Sequence, residues 1–274
     1  MTVTKRELFS IIINKNVIDF QVNLWNKYQQ YSLNSINCDT ALLDNKGEEW
    51  KKKVKLYSLE NKNKYDYTIK LINKNMVEQN DNLSKFEYCD DEEIYKKTLV
   101  AINNICMSNE NLSYAMNLYI NDILIVKCDN FIASSSIKFL GTIIIAPKKH
   151  WEVIDYMENL IHEMSHIDLY IKQLVDPLVI SKNLIKSPFR NYDRPAIGVY
   201  HSAFVLSRII LYTRHKNINE SNPKIDCCRI ESHKKKLIET LHLFNDSINL
   251  TDMGSFLLHQ MKFVTLEGFE VFHE

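Results

Sequence analysis

Five glycines and five prolines are all that interrupt 274 residues. A chain this poor in turn-formers favours long helices over a β fold, which needs a tight turn every few residues. The first third reads as helices broken by polar stretches around Asn61–Lys64 and Glu78–Leu83. Asp90 and Asp91 place carboxylates where a helix N-terminus wants them, ahead of a pattern running through Ile94, Leu99, Ile102 and Ile105. The middle changes character. Asp122–Lys127 and Ile137–Ala146 are β-branched runs too short for good helices and read as strands. After Pro147 a long helical pattern covers about His150 to Val175, and an irregular stretch follows from Ser181 to Pro195. Further helical patterns lie near Ile197–Thr213, Ile230–Asn245 and Met253–Leu266. No internal repeat or linker divides the chain. The expectation is one domain over 1–274, mainly α with a small β-sheet (α+β), its longest helix packed beside the short sheet.

Composition narrows the function classes. A hydrophobic share of 45% and a charged share of 25% exclude an intrinsically disordered chain. Lysine plus arginine equals aspartate plus glutamate, 34 each, which argues against a nucleic-acid partner. The clusters Lys51–Lys53 and Lys234–Lys236 read as solvated helix faces. No apolar run is seen to approach the ~18–20 residues of a membrane span, so no membrane partner is expected. The triplet Ile11–Ile13 is cut short by Lys15 and Asp19, without the small residues of a signal-cleavage site. Cys38, Cys89, Cys106, Cys128, Cys227 and Cys228 form no CxxC pair, and reduced thiols in a cytoplasm are the expectation. Nothing in the sequence sets an oligomeric state.

The chemistry is concentrated in LIHEMSHIDLY, residues 160–170. His162 and His166, four apart on a helix, bring their Cβ atoms to ~5–6 Å on one face, a good bite for one metal ion. Glu163 between them completes HExxH. Ile154, Met157, Leu160, Ile161, Met164, Ile167, Ile171 and Leu174 make an apolar arc at helical spacing. The histidines lie opposite, with Asp155, Glu158 and Gln173, and with Trp151, Leu169 and Tyr170 alongside. A surface helix carrying two histidines by chance is the plainer alternative.

A catalytic metal usually takes a third protein ligand. Leu169 and Lys172 stand where a metzincin-like motif needs Gly and His, which excludes that family. Glu220, Glu231 and Glu239 have little to recommend them, and Asp168 and Asp176 read as helix-surface and helix-end residues. His201 is the better candidate, because an imidazole in the apolar IGVYHSAFVLSR needs a metal or a hydrogen-bond partner. Just upstream, SPFRNYDRPAIGVYH sets Arg190 and Arg194 near a proline-stiffened turn, and Arg208 follows two helical turns after His201. Guanidinium forks beside a metal suit an anionic carboxylate cosubstrate; surface ion pairs are the alternative for each.

Taken together, the order HExxH, then SPxRxxxRPxxGxxH, then FVxxR resembles the HExxH-type, 2-oxoglutarate-dependent peptide β-hydroxylases that mature ribosomally made peptides. The matching residues are His162, Glu163 and His166, then Ser187, Pro188, Arg190, Arg194, Pro195, Gly198 and His201, then Phe204, Val205 and Arg208. The match covers roughly 140–212, whereas 1–120 resembles nothing nameable and is assigned by elimination to peptide binding. Residues 121–274 become the metal- and cosubstrate-binding part. The resemblance implies Fe(II) held by His162, His166 and His201, with 2-oxoglutarate and O2 as cosubstrates. It implies Arg194 as first holder of the distal carboxylate, with Arg190 and Arg208 next, and a ribosomally made precursor peptide as partner. Asp193 is the nearest substitute if a carboxylate replaced one histidine. Glu163 stays open between a residue orienting a ligand histidine and the general base of a zinc metallopeptidase. His150, His215, His233, His242, His259 and His273 carry no assigned role.

Overall fold

The structure is a computed structural model that describes residues 3–31, 48–78, 85–190, 192–214, 223–244 and 247–266. Cys38, His215, Glu220, His273 and most of the 78–83 break lie outside the described residues. In chain order the elements are α1 (Lys5–Leu8), α2 (Lys15–Tyr31), α3 (Glu48–Lys53), β1 (Val54–Leu56) and α4 (Lys62–Glu78). Then come α5 (Glu92–Ser108), α6 (Glu110–Tyr119), β2 (Asp122–Ile125), β3 (Ala133–Ser134) and β4 (Thr142–Ile145). The long α7 (Val153–Gln173) is followed by β5 (Leu184–Lys186), β6 (Asp193–Pro195), α8 (Ala196–Arg214), α9 (Pro223–Leu241) and α10 (Asp252–Val264). The chain is mainly helical with small sheets, as its scarcity of turn-formers requires. Packing divides it into two compact units, Tyr28–Ile167 and Met1–Lys27 with Asp168–Glu274, so the division falls within α2 and within α7.

The first unit is built on a sheet of order β1-β2-β4-β3. β1, β2 and β4 run parallel and β3 antiparallel on β4. β2 and β4 are runs of Ile and Leu because a parallel strand is buried on both faces; Ile123, Leu124, Ile125, Ile143, Ile144 and Ile145 are all at 1% exposure or less. On one face Leu124 and Ile144 pack with Tyr65, Ile69 and Ile72 of α4. The second strand is shorter than its apolar run suggests. Ile137–Phe139 winds into a 3-10 turn, and Gly141 turns the chain at φ 91° before β4 begins. β1 carries no strand signal of its own; its pairing with β2 makes it one. α5 starts as expected, with the Asp91 carboxylate accepting from the N–H groups of Glu93 and Ile94.

In the second unit α8 is the central element. By length and composition Ala196–Thr213 is apolar enough to cross a membrane, contrary to the expectation that no run approaches that length. That window is 78% buried within the protein, so its apolarity belongs to a core. Tyr200, Phe204 and Ile210 of α8 pack there with Phe9 and Ile11, with Leu237 of α9 and with Leu257 and Met261 of α10. The stretch 181–195 is less irregular than expected, since β5 and β6 pair antiparallel with Leu184 opposite Pro195 and Ile185 opposite Arg194.

Candidate metal centre and its surroundings

On α7 the register that the sequence suggested holds over its middle turns. From Leu160 to Lys172 every side chain is buried except His162, His166 and Tyr170, which form a half-exposed stripe at four-residue spacing. Leu169, expected in front, is instead fully buried. The two imidazoles meet with Nε2 atoms 3.2 Å apart and ring centroids 4.9 Å apart. Two nitrogens at that separation, each ~2.0–2.1 Å from a common ion, subtend about 100° at it, between octahedral and tetrahedral ligand angles. The pair therefore fits a single ion. The His162 side chain keeps 41% of its surface open. Even so, the protein crowds its ring closely enough that burial draws its pKa down to about 4. The ring is neutral at physiological pH, the state a metal ligand needs.

Glu163 turns into the first unit. It is 4% exposed, and burial lifts its pKa to about 7. The Ser135 hydroxyl, directly after β3, donates to Glu163 Oε2 at 2.7 Å and opposes that rise. Glu163 Oε1 lies 4.0 Å from His162 Nε2. Ser135 escaped the sequence reading because its partner is 28 residues away and a serine run has no periodicity to flag it.

In the second unit, α8 and the hairpin ahead of it gather Arg194, Gly198 and His201. The Arg194 guanidinium lies over Gly198, where an added Cβ would stand 3.4 Å from Nη2. The glycine of the RPxxGxxH stretch is thus the floor for the arginine. His201 is 8% exposed, its Nε2 is 2.9 Å from Gln173 Oε1, and its ring lies 5.3 Å from that of Tyr170. Burial, helped by the Arg194 charge, brings its pKa to about 4. Arg190 stands on the exposed turn of the hairpin.

Arg208 has a different setting. It is fully buried and donates through Nη2 to Asp168 Oδ2 at 2.6 Å, with Phe204 stacked 4.8 Å from its guanidinium carbon. Asp168, expected on the helix surface, is 2% exposed and also accepts from Lys172 and from Gln21. The reading failed because helical spacing alone cannot tell a solvated carboxylate from one buried among cations. Burial would raise the Asp168 pKa; Lys172 and Arg208 overturn that and hold it below the ordinary value. Burial, with the Arg208 charge, lowers Lys172 to about 8 against the pull of Asp168. Arg208 Nε and Nη1 have no hydrogen-bond partner among the described residues, and such donors suit a carboxylate.

The structure thus brings His162 to His166 and Arg194 to His201, and commits Arg208 to Asp168. Among the described residues no group of three or more His, Cys, Asp or Glu side chains is gathered that would hold a metal ion. No protein-family model matches the chain, and no curated protein matches it.

Proposed function

We propose that the chain is an Fe(II)- and 2-oxoglutarate-dependent oxygenase that β-hydroxylates a side chain of a ribosomally made peptide in the cytoplasm. The observation that carries this reading is the neutral imidazole pair of His162 and His166, spaced for one ion on a half-exposed stripe of α7. His201 is the third donor in this proposal. Its Nε2 contact with Gln173 Oε1 is the kind of partner that orients a ligand ring. When bound, the iron supplies the oxidative decarboxylation of 2-oxoglutarate that drives hydroxylation. The chain's own share is binding and orientation. Arg194, braced on Gly198, holds the distal carboxylate of 2-oxoglutarate, with Arg190 and Arg208 as the next candidates. The free thiols of Cys89, Cys128 and Cys228 suit a reducing compartment.

A specific observation favours a second reading. Glu163, with a pKa of about 7, is poised as a general base beside His162, as a zinc metallopeptidase requires. One assay separates the two. Protein loaded anaerobically with Fe(II) is given 2-oxoglutarate, O2 and precursor peptides encoded beside its gene. Succinate together with a peptide heavier by one oxygen atom supports the oxygenase. Peptide cleavage with zinc and no need of 2-oxoglutarate supports the peptidase. In the oxygenase reading His162→Ala and His201→Ala each abolish iron binding, and Glu163→Gln retains turnover.

A further inference from the structure

The β5–β6 hairpin offers an edge that its own register leaves open. Ala196 N–H donates to Asn183 O at 2.9 Å, so Asn183 and Ala196 are a hydrogen-bonded antiparallel pair. Alternation then makes Ile185 and Arg194 the next bonded pair, and turns the backbone groups of Leu184, Lys186, Asp193 and Pro195 outward. On β6 that outer row is blunted, because Pro195 has no N–H. On β5 it is intact. Leu184 and Lys186 each present an N–H and a C=O away from β6, and among the described residues no further strand pairs with them. Most proteins cover or charge such an edge, since it is a template for another strand.

Side chains on the hairpin say what kind of strand fits. Ile185 and Arg194 occupy the half-buried face, whereas Leu184 is 63% exposed and Lys186 is exposed beside it. Ile180 at 59% and Phe189 at 36% add apolar surface nearby. Lys182, Lys186, Arg190 and Arg194 face one acidic residue in the same stretch, Asp193, a local excess of three positive charges in a chain with none overall. We infer that the outer edge of β5 binds an extended, acidic peptide segment by strand addition, Leu184 covering an apolar side chain and Lys182 and Lys186 meeting its carboxylates. The inference rests on the peptide-substrate reading above and names how that substrate is held; the strand carrying Arg194 would then lie one position in from the bound peptide.

The test uses the full apo-chain without iron or 2-oxoglutarate. The probe is the blocked peptide acetyl-Asp-Thr-Val-Thr-Asp-amide, whose first, third and fifth side chains share one face, with a Lys-Thr-Val-Thr-Lys counterpart and a version N-methylated at the central residue. Hydrogen exchange read by NMR is expected to show the acidic probe protecting the Leu184 and Lys186 amides, with the other two probes without effect. Lys186→Pro removes an outward N–H while leaving the hairpin's own bonds, and is expected to weaken binding at least tenfold. The pair Lys182→Glu with Lys186→Glu keeps every backbone group and is expected to exchange the preference for the acidic probe for the basic one. Unprotected amides with the acidic probe, or equal binding of the N-methylated one, overturn the inference. So does a concentration-dependent dimer abolished by Lys186→Pro, which assigns the edge to a second copy. Protected amides in a chain that makes no succinate overturn the oxygenase and keep the edge. Hydroxylation with both amides unprotected does the reverse.

Discussion

A single carboxylate, Asp168, holds two buried cations, and its removal leaves both unpaired. Asp168→Asn is expected to cost about 3–5 kcal/mol, read from urea denaturation, because an uncompensated charge cannot regain its hydration inside the protein. The Ser135 hydroxyl poses the complementary case. It favours the charged form of Glu163, so Ser135→Ala is expected to move the Glu163 titration upward from about 7, measured by carboxyl NMR or infrared spectroscopy. A downward move would mean that another donor replaces the hydroxyl. Both residues matter through partners distant in sequence. Helical spacing therefore points Asp168 to the surface, and nothing local marks Ser135.

Elements depend on fewer atoms than their lengths suggest. α10 is seated against the main chain at Leu178, which adopts φ 65°. A Cβ added at Gly254 would stand 2.0 Å from the Leu178 carbonyl oxygen, and backbone cannot move aside as a side chain can. Gly254→Ala is therefore expected to destabilise by at least about 1–3 kcal/mol, with a matching fall in the thermal midpoint. Gly198 is the contrasting case, since its neighbour is the flexible end of Arg194. An added Cβ there would make only an ordinary contact at 3.4 Å, so Gly198→Ala is expected to leave the midpoint nearly unchanged, whereas Arg194→Ala is expected to raise the KM for 2-oxoglutarate if Arg194 holds that cosubstrate.

Acid stability integrates these sites over the whole molecule. In the folded chain burial holds His162 and His201 near 4, against an ordinary 6.5. Between those values the unfolded chain binds the extra protons, so stability is lost as pH falls through the window. Glu163 acts in the other sense, since its folded value of about 7 exceeds the ordinary 4.5 and stability falls as pH rises between them. Two imidazoles against one carboxyl leave a net loss on acidification. The thermal midpoint of the apo-protein is expected to decline from pH 6.5 toward 4, and less steeply in His201→Gln. A midpoint that climbs over this range would contradict the lowered values of both rings.

What the sequence determined by itself was set by local physics. Sparse glycine and proline dictated helices, β-branched runs dictated β2 and β4, and a four-residue spacing put His162 and His166 on one face. The Asp91 cap was legible for the same reason, because a cap is read within one turn. Tertiary structure alone decided β1, which exists through pairing with β2, and the shortened β4, which waits on Gly141. It also sent residues 1–27 to pack with 168–274, buried Asp168 between Lys172 and Arg208, and set the Arg194 guanidinium over Gly198. Hydrophobic periodicity reports which face turns inward, whereas the partner that meets a face is chosen by contacts across the chain, and these leave no period to read.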